Sequence, residues 1–219
     1  MNRPRLQLAL DNLDLQSALK AVQLAHTHID IIEVGTTLCL SEGMNAVRTL
    51  RTLFPDHTLL ADVRIIKAGG VIAKMCFEAG ANWVSVMSDA TQETLEAVVQ
   101  TAAAYNGDVQ IELNDGWTFE QAHLWRKLGI GQVILHRSSE VVAEEENWTE
   151  AAFETVRKLH NLGFLVTVTG GISVAEISSF VDVPVGIFIA GRAIRSANDP
   201  AAAAESFQKE ISGTFAPSA

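Results

Sequence analysis

Short apolar runs alternate with stretches of helical apolar spacing from one end of this chain to the other, and that alternation constrains the fold more than any other feature. The runs rich in Val, Ile and Leu predict strands over 6–11, 29–35, 58–65, 83–88, 109–113, 132–136, 165–169 and 186–190. Several are almost continuously apolar, as strands covered on both faces must be. Between them the spacing predicts helices, among them 41–54, 91–105, 118–128 and 149–162. Ser41 and Thr149 are cap-type residues at two of the starts, and Gly80, Gly107, Gly129 and Gly163 follow helical runs where a left-handed residue is expected. Eight strand–helix units in 219 residues point to an α/β chain folded as a single (β/α)8 TIM barrel. An open doubly wound sheet is the alternative, but the turn after Asp11 lacks the glycines of a dinucleotide fingerprint.

The expected domain spans residues 1–211, with 212–219 as a frayed tail. A 48% hydrophobic content excludes disorder. A net charge of −10 makes nucleic acid a poor partner, while a small anion remains open because backbone amides bind phosphate whatever the net charge. No apolar run approaches the roughly 20 residues that span a bilayer. Met1 to Arg5 runs straight into a strand with no signal-peptide core, so a cytoplasmic protein without membrane contact is expected. Cys39 and Cys76 make neither a disulfide framework nor a metal pair, and read as buried reduced thiols.

Barrel chemistry collects at the carboxyl ends of strands. Those ends carry Asp11, Glu33, Asp62 with Arg64, Ser88, Glu112, His136, Thr169-Gly170-Gly171 and Gly191-Arg192. Glu33 within Ile31-Ile32-Glu33-Val34 and Glu112 within Ile111-Glu112-Leu113 need partners, because a carboxylate in an apolar strand is costly. Buried ion pairing explains any one of them, for instance Glu112 with Arg64 or Lys67. Glu33, Asp62 and Glu112 together suit a hard divalent cation such as Mg²⁺, which takes a few carboxylates plus water and substrate oxygens. His136 at a strand end can move protons near neutral pH, or can simply be held by a carboxylate. Turns after the seventh and eighth strands suit a phosphate: glycine lets the backbone approach it and Arg192 can grip it.

On these residues the chain resembles the family of 3-keto-L-gulonate 6-phosphate decarboxylases and 3-hexulose 6-phosphate synthases, in the orotidine monophosphate decarboxylase suprafamily. The matching segments are Leu8-Ala9-Leu10-Asp11, Ile32-Glu33-Val34-Gly35-Thr36, Ser41-Glu42-Gly43, Met75-Cys76-Phe77-Glu78-Ala79, Gly107-Asp108-Val109-Gln110-Ile111-Glu112-Leu113, His136-Arg137-Ser138, Val168-Thr169-Gly170-Gly171 and Phe188-Ile189-Ala190-Gly191-Arg192. The resemblance implies a homodimer with active sites near the interface and a phosphorylated keto-sugar as substrate. It implies Mg²⁺ on Glu33 and Asp62, with a cis-enediolate stabilised as carbon dioxide leaves. Asp11 and Glu112 would meet substrate hydroxyls or order the site, Thr169, Gly171, Gly191 and Arg192 would bind substrate and its phosphate, and His136 would help deliver a proton.

The family's Asp-x-Lys-x-x-Asp signature reads Asp62-x-Arg64-x-x-Lys67 in this chain, and Ser139 stands where the decarboxylases carry a second cation after the histidine. Arg64 keeps a positive charge but is a poor proton donor. Lys67 inverts a charge, worth on the order of 4 kcal/mol at 4 Å and an effective dielectric of about 20. Asp62, Arg64, Lys67, Glu112 and His136 are thus the candidate catalytic set. Decarboxylation of 3-keto-L-gulonate 6-phosphate to L-xylulose 5-phosphate is the named reading. An aldolase or ketose-phosphate epimerase in the same enediolate class, and a non-catalytic sugar-phosphate-binding protein, are the alternatives.

Overall fold

A computed structural model of the chain describes residues 3–137 and 148–216. Eight parallel strands close into a barrel in sequence order. They are β1 (Arg5–Leu10), β2 (Ile31–Val34), β3 (Thr58–Ile65), β4 (Trp83–Met87), β5 (Asp108–Glu112), β6 (Gln132–His136), β7 (Leu165–Thr169) and β8 (Ile187–Ala190). β8 pairs back onto β1, with Leu6 opposite Phe188 and Leu8 opposite Ala190. The fold is therefore a TIM barrel, and closure leaves no sheet edge exposed. Three expected strands coincide with the observed ones, and the others differ by one or two residues at an end.

The helices are α1 (Leu15–Ala25), α2 (Thr36–Glu42), α3 (Met44–Leu53), α4 (Gly69–Glu78), α5 (Gln92–Ala104), α6 (Phe119–Lys127), α7 (Glu150–Asn161), α8 (Arg192–Arg195) and α9 (Pro200–Thr214), with a 3-10 segment over Val174–Phe180. Local chemistry starts them. Asp14 accepts from Ser17 N–H, Thr91 from Thr94 N–H and Thr149 from Ala152 N–H, while Thr118 and Gln121 form a reciprocal capping box. None of these helices is long and apolar enough to cross a membrane.

Three expectations need correction. The helix expected over 41–54 is two helices, because Gly43 (φ +60°, ψ −158°) leaves the helical region between α2 and α3. Ser41 therefore lies inside α2 and donates to Leu38 O rather than capping a helix start. After α5 the left-handed residue is Asn106 (φ +52°) and not Gly107. Gly107 is needed instead for space, since a Cβ there would meet the Phe77 ring at 2.3 Å. The chain also stays attached beyond the expected boundary at 211: α9 continues to Thr214 and the Phe215 ring packs 6.0 Å from Phe188.

Strand residues alternate between two cores, as a two-residue period requires. Leu6, Leu8, Leu10, Ile32, Val84, Ile111, Val133, Val166 and Phe188 turn outward and are buried under the helices. Phe188 meets Phe180 at 5.2 Å in an edge-on contact, and Phe180 in turn meets Trp148 and Phe153. Truncating a ring such as Phe180 to alanine costs about 3–5 kcal/mol. The inward set is largely polar: Gln7, Glu33, Asp62, Ser85, Gln110, Glu112, Gln132 and Thr167 are all buried. Ile31, Leu60 and Ile187, fully buried at the same parity, and a small apolar cluster of Ala9, Ile134 and Ile189 join them. A polar lumen of this kind positions a site rather than maximising stability.

Candidate active site

The inward residues nearest the carboxyl ends open into a cavity of about 360 Å³. Its wall runs around the barrel through Asp11, Glu33, Asp62, Arg64, Glu112, His136, Thr169, the 170–173 turn and the Gly191–Arg192 turn. The inward alternation brings residues two apart to the wall: Ala9 then Asp11, Ile134 then His136, Ile189 then Gly191.

One side of the cavity is acidic. Glu33 and Asp62 are 7% and 4% exposed. Gln7 Nε2 donates to Glu33 Oε2 at 2.6 Å. Asp62 is gripped from two sides, by Thr36 O–H at 2.6 Å and by Ser85 O–H at 2.6 Å. Burial pushes Glu33 well above the usual carboxylate range, and the nearby Asp62 charge adds to the rise. Asp62 is raised as well, first by burial and then by Glu112, against lowering contributions from Ser85, Thr36 and Arg64. Two crowded, desolvated carboxylates of this kind lack positive charge. The Asp11 carboxylate lies between the β1 and β2 ends, so close that a Cβ on Gly35 would meet its Oδ1 at 2.3 Å.

Arg64 supplies part of that charge from an irregular stretch of β3. Pairing with β4 shifts between Ala61 and Ile65: Ala61 lies opposite Val84, then Ile65 opposite Val86. Asp62, Val63 and Arg64 thus oppose Ser85 alone, and Arg64 adopts φ +46°. Its guanidinium stands 3.6 Å from Asp62 Oδ2 through Nε and 2.9 Å from Glu112 Oε1 through Nη2. His136 Nε2 lies 2.7 Å from that same Glu112 oxygen. Simple strand alternation would set residues two apart on one face, but it is not what brings Arg64 to the side of Asp62. The bulge and the left-handed turn put Arg64 there.

The opposite side is built from backbone. Gly170 (φ +110°) and Gly171 (φ +77°) follow β7 in conformations that side-chain-bearing residues avoid. A Cβ on Gly170 would meet Arg137 Cβ at 2.8 Å and its backbone N at 2.9 Å. Arg137 holds the turn by donating to Gly170 O at 2.9 Å and Gly171 O at 3.2 Å and by pairing with Glu176. Glu176 in turn accepts from Ser173 N–H and O–H. Across this turn stand Gly191, Arg192 and Arg195. Arg195 Nε is buried with no hydrogen-bond partner among the described residues. Open glycine backbone beside two arginines is suited to a phosphate.

Asp11, Glu33, Asp62, Arg64, Glu112, His136, Thr169, Gly171, Gly191 and Arg192 are thus brought together in one cavity, as the strand-end reading expects. Lys67 is exposed in the link to α4 and does not line this cavity, because the bulge ends at Ile65 and the chain then turns outward. Ser139 lies outside the described residues. Gln7, Thr36, Ser85, Arg137 and Arg195 were missed. Ser85 and Gln7 carried a readable signal, since each is a polar residue on the inward parity of an otherwise apolar strand. Arg137 and Thr36 act across strands and carried none.

Among the described residues no three His, Cys, Asp or Glu side chains form a ready-made metal cage. Mg²⁺ does not require one: it takes one or two carboxylates and completes its shell with water and substrate oxygens. Glu33 and Asp62 fit that pattern as hard, cavity-facing oxygen donors that burial leaves short of positive charge.

Comparison with known proteins agrees with this geometry. The chain is 46% identical to the 3-keto-L-gulonate-6-phosphate decarboxylase UlaD of Escherichia coli strain K12 over 211 residues, covering 96% of this chain and 98% of that protein. Its fold superposes with a TM-score of 0.94 on KGPDC from Streptococcus mutans in complex with D-R5P, at 39% identity, covering 98% of this chain and 100% of that one. A 3-hexulose-6-phosphate synthase structure matches with a TM-score of 0.86 at 30% identity, covering 94% and 99%. Residues 4–207 match the family described as orotidine 5'-phosphate decarboxylase / HUMPS. The polar barrel mouth and its glycine turns are those of a family member: the chain belongs to the orotidine 5'-phosphate decarboxylase / HUMPS family.

Proposed function

We propose that this protein is a carbon–carbon lyase that decarboxylates 3-keto-L-gulonate 6-phosphate to L-xylulose 5-phosphate and carbon dioxide, with Mg²⁺ as its cofactor. The observation that carries this reading is one cavity with two unlike walls, acidic with Arg64 and His136 on one side, glycine backbone with Arg192 on the other. A substrate with a phosphate at one end and a carboxylate and hydroxyls at the other fits that division. Anchoring the phosphate at Gly171, Gly191 and Arg192 would hold the reacting carbons against the opposite wall.

Glu33 and Asp62 would hold Mg²⁺, which when bound supplies positive charge where an oxygen becomes negative as carbon dioxide leaves. Departure of carbon dioxide breaks one carbon–carbon bond and leaves its electron pair on the substrate as an enediolate. Arg64, tied to Glu112, presents a fixed charge to that oxygen. A guanidinium is a poor proton donor. The proton that ends on carbon is therefore assigned to His136, which stands 2.7 Å from Glu112 with its side chain 40% exposed at the mouth, where it can be reloaded from water. Asp11, in the cavity wall, would accept a hydrogen bond from a substrate hydroxyl.

The test is carbon dioxide release by purified protein given this substrate and Mg²⁺. Release that a chelator abolishes and Mg²⁺ restores is expected. No release at micromolar enzyme sinks the reading. Aldol chemistry on a hexulose 6-phosphate is the second reading, favoured by the 30% identity to a 3-hexulose-6-phosphate synthase. Release of an aldehyde in place of carbon dioxide would select it.

The proposed assembly is a homodimer. Ile66, Val71 and Met75 are 41%, 66% and 52% exposed on the β3–α4 segment. Val71 and Met75 are one helical turn apart and make one apolar face. Lys67 sits in that stretch and would enter the partner's site rather than its own. The proposed setting is the cytoplasm, where Cys39 and Cys76 stay reduced; burial pushes both thiols up to about 12.

A further inference from the structure

The stretch that most needs an explanation is the bulge at Asp62–Arg64. It places two active-site groups, yet it breaks the ladder and holds a non-glycine residue at φ +46°. Such a backbone is strained and persists only where its surroundings over-determine it. Three β3 residues face Ser85 alone, so the ordinary ladder cannot satisfy them.

Ser85 is fully buried in the lumen. Its Oγ accepts from the Arg64 backbone N–H at 2.9 Å, and its O–H donates to Asp62 Oδ1 at 2.6 Å. One hydroxyl therefore replaces the missing ladder bond and aims the carboxylate two residues earlier. The two contacts use the hydroxyl in opposite senses, once as acceptor and once as donor. A carbonyl or an ammonium group could make only one of them, and a methyl group neither.

We infer that Ser85 is a positioning residue of this active site: its hydroxyl sets the left-handed turn at Arg64 and the aim of Asp62 together. The inference deepens the proposed function and rests on that reading for its kinetic arm. Ser85 reaches no reacting atom itself, since it lies behind Asp62 and is absent from the cavity wall. Removing its hydroxyl frees Arg64 to relax toward an ordinary strand conformation, which withdraws the guanidinium from Glu112.

The experiment compares Ser85→Ala and Ser85→Thr with the wild-type chain in turnover of 3-keto-L-gulonate 6-phosphate and in amide hydrogen exchange at Arg64. Ser85→Ala is expected to lower kcat by about 10–100-fold, the range of a lost supporting shell, while KM moves less than about threefold because the phosphate turns are untouched. Exchange at the Arg64 amide is expected to speed by at least about tenfold, with Val84 and Val86 unchanged. Ser85→Thr, which keeps the hydroxyl, restores both. Wild-type kcat or wild-type Arg64 exchange in Ser85→Ala overturns the inference, as does a folded Ser85→Thr that restores neither. If even the wild type fails to turn this substrate over, that failure counts against the proposed reaction alone. The exchange arm then decides by itself: acceleration confined to Arg64 supports the inference and its absence overturns it. Should Ser85→Ala not fold, Ser85→Cys takes its place, and wild-type exchange at Arg64 in that weaker-hydrogen-bonding variant overturns the inference.

Discussion

Arg64 Nη2 lies 2.9 Å from Glu112 Oε1, joining the end of β3 to the end of β5. His136 shares that oxygen, so Glu112 holds the Arg64 guanidinium and the His136 ring in one geometry. Glu112→Gln keeps the shape but removes the charge that gathers both. We expect kcat to fall about 10²–10³-fold, with the melting temperature changed by no more than about 3 °C. Steady-state kinetics and a thermal melt check this. A fall of less than threefold in kcat would leave Glu112 a structural ion-pair member.

Arg64→Lys separates charge from shape. An ammonium restores the positive charge but loses the fork that reaches Asp62 and Glu112 together. Activity within about tenfold of wild type is expected, whereas Arg64→Met should lose at least about 10²-fold. Equal losses in the two variants would show that the fork, not the charge, matters.

The proposed phosphate role of the glycine turns predicts effects on binding. Gly170→Ala forces a side chain into φ +110° and against Arg137, at a cost of about 1–3 kcal/mol in stability or in loop geometry. Arg195→Met removes a cation whose Nε has no partner among the described residues. Each is expected to raise KM about tenfold or more with kcat changed far less. Titration of inorganic phosphate as a competitive inhibitor gives the same ordering without turnover. Unchanged KM in Arg195→Met would remove it from the site.

Glu33 sets a pH dependence of stability. Burial raises it above the ordinary glutamate value of 4.5. A raised acid binds more protons in the folded than in the unfolded chain, so stability falls as pH rises from about 4.5 through the raised value. In metal-free protein near pH 7.5, Glu33→Gln is expected to raise the melting temperature by about 2–4 °C and to flatten that decline. Added Mg²⁺ should stabilise wild type more than the variant. Melts across pH with and without Mg²⁺ test this. A lower melting temperature for Glu33→Gln at every pH would contradict it.

The exposed face on α4 predicts an assembly. Val71→Glu with Met75→Glu sets charge into an apolar face and is expected to leave a folded monomer. Sedimentation equilibrium distinguishes this from an unchanged mass, which would move the interface elsewhere.

Strand positions and the inward parity of Asp11, Glu33, Asp62, Glu112 and His136 were legible in the chain alone, because side-chain alternation and apolar spacing are local properties. The two glycine turns were legible for the same reason: glycine announces backbone freedom at its own position. The break at Gly43 was not read, since Ser41-Glu42-Gly43 serves equally as a helix start. The bulge at Arg64, the shared Glu112 oxygen and the support from Gln7, Thr36, Ser85 and Arg137 were decided by tertiary structure. Each joins strands separated by at least 20 residues, and only barrel closure makes them neighbours. Lys67 marks the boundary between the two kinds of knowledge. Its charge and its place after Arg64 are written in the sequence, but its exposure outside the cavity wall depends on where β3 stops.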